Sequence, residues 1–311
     1  MKMWSTGIPA TSVAAKNVRP TPIMAEHVTE FAGFSRTQGS PARMRALVVP
    51  REHGAWGMLL VPLATGATIG LLEGGRAWFL PLLLVATLAI FWLRTPVESW
   101  LGTSPMRAQT VEERKAVGHF IVMLASVAAL ALGALFVGGR NESLVLLGLM
   151  AAIAFAGQAV LKKLSRRTRM LSQFVGAMGL TSTAPAAYCV AIGHLDMRAL
   201  GIWVANWLFA VDQIHFVQLR IHSSRATGLS ERLACGWAFV VTQALIAAGL
   251  LGIWRAQMLP ALALLGFVPA LTRGMVWYFT PARPLVVRRL GWTELAHALT
   301  FGAILIAGFC L

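Results

Sequence analysis

From Ala55 to Leu72 the chain runs 18 residues without a charge. As an α-helix that stretch reaches across most of a bilayer's hydrocarbon core. Comparable apolar runs recur at roughly 76–93, 117–138, 143–161, 171–193, 199–219, 233–254, 258–279 and 293–311. Lipid offers no partner for backbone N–H and C=O groups, so such runs must satisfy them internally, as helices. The expected fold is all-α: a polytopic membrane helix bundle of about nine transmembrane helices.

Composition agrees. Hydrophobic residues make up 57% of the chain and charged residues 13%, against about 25% charged in a soluble domain. The net charge of +15 would suit a nucleic-acid binder. The basic residues, however, lie in short gaps between apolar runs, a pattern of membrane topology, and no nucleic-acid partner is expected. Residues 1–49 are rich in Ser, Thr, Pro and Ala and hold no sustained apolar run. They read as a flexible basic cytoplasmic tail, without the apolar core of a cleavable signal. Residues 50–311 read as one transmembrane domain whose principal partner is the lipid bilayer.

The basic residues also predict an orientation. Of the 27 Lys and Arg, 23 fall in the tail or in and beside the gaps after the second, fourth, sixth and eighth runs, and 4 in the other gaps. The positive-inside rule then places the tail and the even-numbered gaps in the cytoplasm, and the C-terminus outside. The expected location is a bacterial inner membrane.

Polar residues within the runs cluster toward that same side. Glu52, His53, Arg94, Glu98, Gln158, Asp212, His215, Arg220, Arg273, Glu294 and His297 all fall in or beside the cytoplasmic half. Charge facing lipid is costly, so this asymmetry suggests a cavity open on that side. Snorkelling to the headgroups is the alternative. It accounts well for Lys162, Lys163, Arg288 and Arg289, and poorly for the deeper Asp212.

Four places stand out as ligand-binding candidates, the last of them at His297. Arg51, Glu52, His53 and Trp56 crowd the entrance of the first run. Arg94, followed by Pro96, marks the end of the second and suits a phosphate or lipid headgroup as well as it suits snorkelling; Pro96 is expected to stop the helix there. In the sixth run Asn206, Gln213 and Arg220 fall within about 40° of one another on a helix. Asp212 and His215 share another side. Two polar faces call for a helix surrounded by other helices, with ligand lining and interhelical hydrogen bonding as equal readings. His53 and Arg94 are the expected partners of Asp212, in one cavity with Arg220. Glu294 and His297 form an i,i+3 pair at the last run. There the helix N-terminus favours the carboxylate, and His297, one turn deeper, needs a partner. Glu112 to Lys115 reads as a solvated helix start.

No HxxxH or HExxH spacing marks a metal or haem site, and Cys189, Cys235 and Cys310 are isolated among apolar residues. No metal site and no cofactor are expected.

The strings PREHGAWGMLLVPLATG from Pro50, FWLRTP ending the second run and RRLGWTELAH at the last resemble the YwiC-like family of bacterial membrane proteins, from about residue 48 to the C-terminus. The layout resembles a larger group, the UbiA superfamily of intramembrane prenyltransferases. That likeness implies nine spans, a cytoplasm-facing cavity and functional loops after spans two and six. It also implies two aspartate motifs that hold Mg²⁺ on a prenyl diphosphate. Here Arg94-Thr95-Pro96-Val97-Glu98 stands in the first place, and in the second only Asp212 followed by basic residues. No residue of the metal motif carries over, and Mg²⁺ is not expected. The combined expectation is a protein that binds an amphipathic isoprenoid, quinone or lipid in a cytoplasm-facing cavity. An atypical UbiA-like prenyltransferase, a non-enzymatic transporter and a membrane assembly partner are the alternatives.

Overall fold

A computed structural model describes residues 41–50, 53–104, 106–139, 142–165, 168–223, 228–280 and 286–311. Among them all regular structure is helical. Eight segments are long and apolar enough to cross a membrane, and the remaining apolar stretch, Ala261–Trp277, is shorter.

In chain order the helices are α1 (Pro41–Val48), α2 (His53–Leu72), α3 (Leu80–Leu101), α4 (Val111–Val137), α5 (Glu142–Leu164), α6 (Arg169–Thr181), α7 (Thr183–Ile192), α8 (Met197–His222), α9 (Leu229–Arg255), α10 (Val268–Phe279) and α11 (Val287–Cys310). A 3₁₀ segment, Ala261–Phe267, leads into α10.

Two expected spans are broken, the eighth by the 3₁₀ segment Ala261–Phe267. The fifth splits into α6 and α7 at Ser182, whose Oγ donates back to the Gly179 carbonyl at 2.7 Å. Beside it the Thr183 hydroxyl donates across to the Leu59 carbonyl of α2 at 3.0 Å. Side-chain donors thus occupy carbonyls at a point where lipid could not. The second span fails to break where expected. α3 runs through Pro96 to Leu101 and stops at Gly102, whose φ of 71° lets its N–H reach the Glu98 carbonyl. A proline removes one helical donor, but left-handed glycine is the stronger terminator. This correction places Arg94 and Glu98 one turn apart on the same helix, joined at 3.0 Å.

The start of α4 also differs from expectation. Thr110 and Glu113 form a reciprocal capping box, and Glu113 is buried rather than solvated. Two of the helix's unpaired N–H groups are satisfied in this way.

α6, α7 and α8 form the interior: 78% of the α6–α7 span and 61% of the α8 span is buried, against 11% for α5. α8 packs on α2, α6, α7, α9, α10 and α11, the surrounded position that its two polar faces require. Helices approach closely where side chains are small. A Cβ on Gly66 of α2 would lie 1.9 Å from the Ala184 carbonyl oxygen of α7, so this crossing requires glycine. The outer helices present exposed Val122, Leu130, Val145, Leu149 and Ile153, a surface suited to acyl chains and not to water. Trp78, Trp100, Trp237 and Trp292 are exposed near span ends, where indoles favour the bilayer interface.

Candidate functional site

Two polar regions lie toward the end of the bundle where α3 and α5 finish and α2 and α6 begin. The first is a cavity of about 580 Å³, within the size range of small-molecule sites. Three cationic side chains line it, one from each of three helices: Arg94 of α3, Lys162 of α5 and Arg169 of α6. Gln158, Ser165, Ser172 and Gln173 add hydrogen-bonding groups, and Ala55, Met58, Leu180 and Ile214 supply apolar wall. No carboxylate lines the cavity among the described residues. The wall is held in place locally. Ser172 donates to the Gln158 carbonyl at 3.2 Å, and the Thr168 hydroxyl lies 2.7 Å from the Leu161 carbonyl, which ties α6 to α5. A smaller cavity of about 260 Å³ adjoins it and shares Arg169 and Gln173. His215, Gln218, His222 and Cys235 line this second space.

The second polar region is closed. Asp212 of α8 is 0% exposed, and Arg273 of α10 lies 2.8 Å from its Oδ2. The Gln243 amide of α9 donates to Oδ1 at 2.5 Å. Arg273 also donates to both Glu294 oxygens, at 2.7 and 2.6 Å, and its guanidinium lies 4.1 Å over the Phe216 ring. Gln213 donates to the Glu294 backbone carbonyl at 2.7 Å. Arg273 ties α10 to α8 and α11, Gln243 joins α9 through Asp212, and each carboxylate has a charge-assisted partner.

The expected partnership of Asp212 with Arg94 is therefore corrected: it meets Arg273. α10 packs directly on α8, whereas α3 packs on α4 and α7. Asp212 and Arg220 are absent from the lining of both cavities, so neither cavity joins Arg94 to them as expected.

The other candidates separate by environment. Arg51 and Glu52 lie outside the described residues; His53 opens α2, and its side chain is not described. Trp56 packs edge-on to Phe91, with ring centroids 4.8 Å apart. Asn206 donates to the Ile202 carbonyl at 2.9 Å and to the Thr65 hydroxyl at 3.3 Å. With Gln213, it follows the interhelical-bonding reading. His215 sits between Phe174 and Phe239, and its Nδ1 has no partner among the described residues. Arg220 is half-buried at the end of α8. His297 Nδ1 lies 2.7 Å from the Thr293 carbonyl one turn back.

Lys162, Arg169 and Gln173 were not candidates on sequence grounds, and Gln158 stood only among the polar residues that suggested a cavity. Their signal was the gap after the fourth run, which with five basic residues is the richest of the even-numbered gaps. Arg273's signal was its position well inside a run. At the opposite end, the Tyr188 hydroxyl bonds Glu73 and lies 3.1 Å from Asp196. Arg198 meets Glu73 at 2.6 Å, which links the turns after α2 and α7. Among the described residues no group of three His, Cys, Asp or Glu is placed to hold a metal ion.

Residues 49–188 match the family model described as YwiC-like protein, a shorter stretch than the resemblance expected to the C-terminus. No curated protein matches the chain. The matched segment holds every lining residue of the larger cavity except Ile214. The all-helical fold and the eight membrane-length segments describe a multi-pass membrane protein, and its segment 49–188 is similar to the YwiC-like family.

Proposed function

We propose that this protein binds an amphipathic isoprenoid- or lipid-like ligand in the larger cavity. The observation that carries the reading is the mixed lining of the cavity. Arg94, Lys162 and Arg169 supply charge to it, and Met58, Leu180 and Ile214 aliphatic surface. An anionic head at the cations and an apolar tail against the aliphatic side chains satisfy both. A purely polar solute would leave the apolar wall unused, and a purely apolar one would desolvate three cations for nothing.

The positive-inside rule supports a cytoplasmic opening, because the three cations belong to the basic end of the chain. A reporter active only in the cytoplasm, fused after Leu311, should then stay silent. A strong signal would reverse the orientation.

The direct test is to fill the apolar wall. Ile214 is half-buried on α8, and Ile214→Trp pushes an indole into the cavity. Mass spectrometry of lipids and quinones co-purifying in mild detergent should show the retained amphiphile falling at least about tenfold, or about 1.4 kcal/mol. Unchanged retention by a normally folded variant would remove the cavity as the binding site.

A further inference from the structure

The charge of the cavity rim goes further than the apolar wall and says which head group fits; this step rests on the amphiphile reading above. Arg94 pairs with Glu98 at 3.0 Å. Lys162 and Arg169 are exposed at the rim, and no ion pair joins either to a carboxylate among the described residues. Among the described residues these two bring two positive charges to one opening. Cations held together in this way repel one another, and an anion between them removes that cost.

We infer that the rim is a phosphate-monoester site, with Lys162 and Arg169 in direct contact with the phosphoryl oxygens. A carboxylate or a phosphodiester carries one negative charge and leaves one of the two cations unmatched. A monoester carries about −1.5 to −2 at neutral pH, with three acceptor oxygens. Arginine supplies a planar fork for two of those oxygens, and lysine a compact charge for the third. The backbone adds to this. α6 begins at Arg169, and the first intrahelical bond runs from the Ser172 N–H to the Thr168 carbonyl at 2.8 Å. The preceding amides of that first turn stand at the positive end of the helix dipole, beside the cavity that Arg169, Ser172 and Gln173 line. A lipid monoester and a water-soluble phosphate present the same head chemistry.

The test uses the full chain in detergent. Native mass spectrometry reads the binding of dioleoyl phosphatidic acid, dioleoyl phosphatidylglycerol and oleic acid, and calorimetry reads inorganic phosphate. Phosphatidic acid should be retained at least about tenfold better than phosphatidylglycerol, whose tails are the same. Lys162→Gln combined with Arg169→Gln should abolish that preference without abolishing retention, and Lys162→Arg should keep it. Inorganic phosphate binding without any lipid retention would support the phosphate site and overturn the amphiphile reading. Equal retention of all three amphiphiles, unaltered in the double variant, would overturn the phosphate site and leave the amphiphile reading standing. Loss of both signals in the folded wild type would overturn both.

Discussion

Arg273 lies between two carboxylates and is 12% exposed, whereas Arg169 stands exposed at the rim of a cavity that no carboxylate lines among the described residues. Both belong to the polar half of a membrane bundle, yet they handle charge in opposite ways. Arg273 takes both its ionic partners from the chain, Asp212 of α8 and Glu294 of α11, and Gln243 of α9 donates to Asp212 in turn. Around Arg169 the neighbours are Lys162, Arg94 and neutral polar groups. The difference shows that charge within a membrane bundle is not itself the mark of a ligand site. A closed cluster whose charges are paired fixes helices to one another, though Arg273 Nε and Gln243 Oε1 keep no hydrogen-bond partner among the described residues, while the open cluster carries the charge on which the ligand proposal rests. The two regions also divide along the chain. Twelve of the cavity's thirteen lining residues lie in the segment 49–188 that carries the family match, and all four side chains of the closed cluster lie beyond it.

The largest expected effect comes from breaking the closed cluster. Arg273→Leu leaves two carboxylates buried together, and removing one member of a buried ion pair typically costs about 3–5 kcal/mol. Thermal unfolding in detergent should show this as a steep loss of the folded state. Asp212→Leu should come next, since Arg273 keeps Glu294 but the Gln243 amide loses its acceptor. Asp212→Asn should be milder, because the amide keeps a hydrogen-bonding group of the same size. If Arg273→Leu proved as stable as wild type, the division of roles between the two regions would collapse.

The smallest expected effect on stability comes from the open rim. Lys162→Gln and Arg169→Gln remove exposed charges and should shift unfolding by no more than about 0.5 kcal/mol. A loss as large as that of Asp212→Leu would mean that these cations hold the bundle together and are not reserved for a ligand.

How far the sequence anticipated this picture follows from what each feature depends on. Helices were legible because apolar length and the absence of charge are local properties, and the bilayer forces them into one answer. The breaks at Ser182 and before Val268 were not read, although Thr181-Ser182-Thr183 with Pro185, and Pro260 with Pro269, interrupt those runs; hydroxyls and prolines also occur inside unbroken spans such as α2. Pro96 misled because its missing donor is conspicuous, while the termination at Gly102 rests on a positive φ that composition does not reveal. In the site, Arg94 stood out as a charge ending a long apolar run. Lys162 was read as a snorkelling terminal lysine, because a helix-end cation facing lipid heads and one facing a cavity have the same local sequence. Asp212 was rightly singled out as too deep to stand alone. Its partner is 61 residues away, and only the packing of α10 on α8 makes the choice between Arg273 and Arg94.

The most direct test sets one substitution from each region side by side. Ile214→Trp fills the cavity and leaves the Arg273 cluster intact, and Asp212→Asn weakens the cluster and leaves the cavity open. Amphiphile retained per folded protein, measured by mass spectrometry on wild type and both variants, should fall at least about tenfold in Ile214→Trp and stay near wild type in Asp212→Asn. Retention that survives Ile214→Trp and is lost in Asp212→Asn would contradict the account, moving the binding site from the open cavity to the closed cluster.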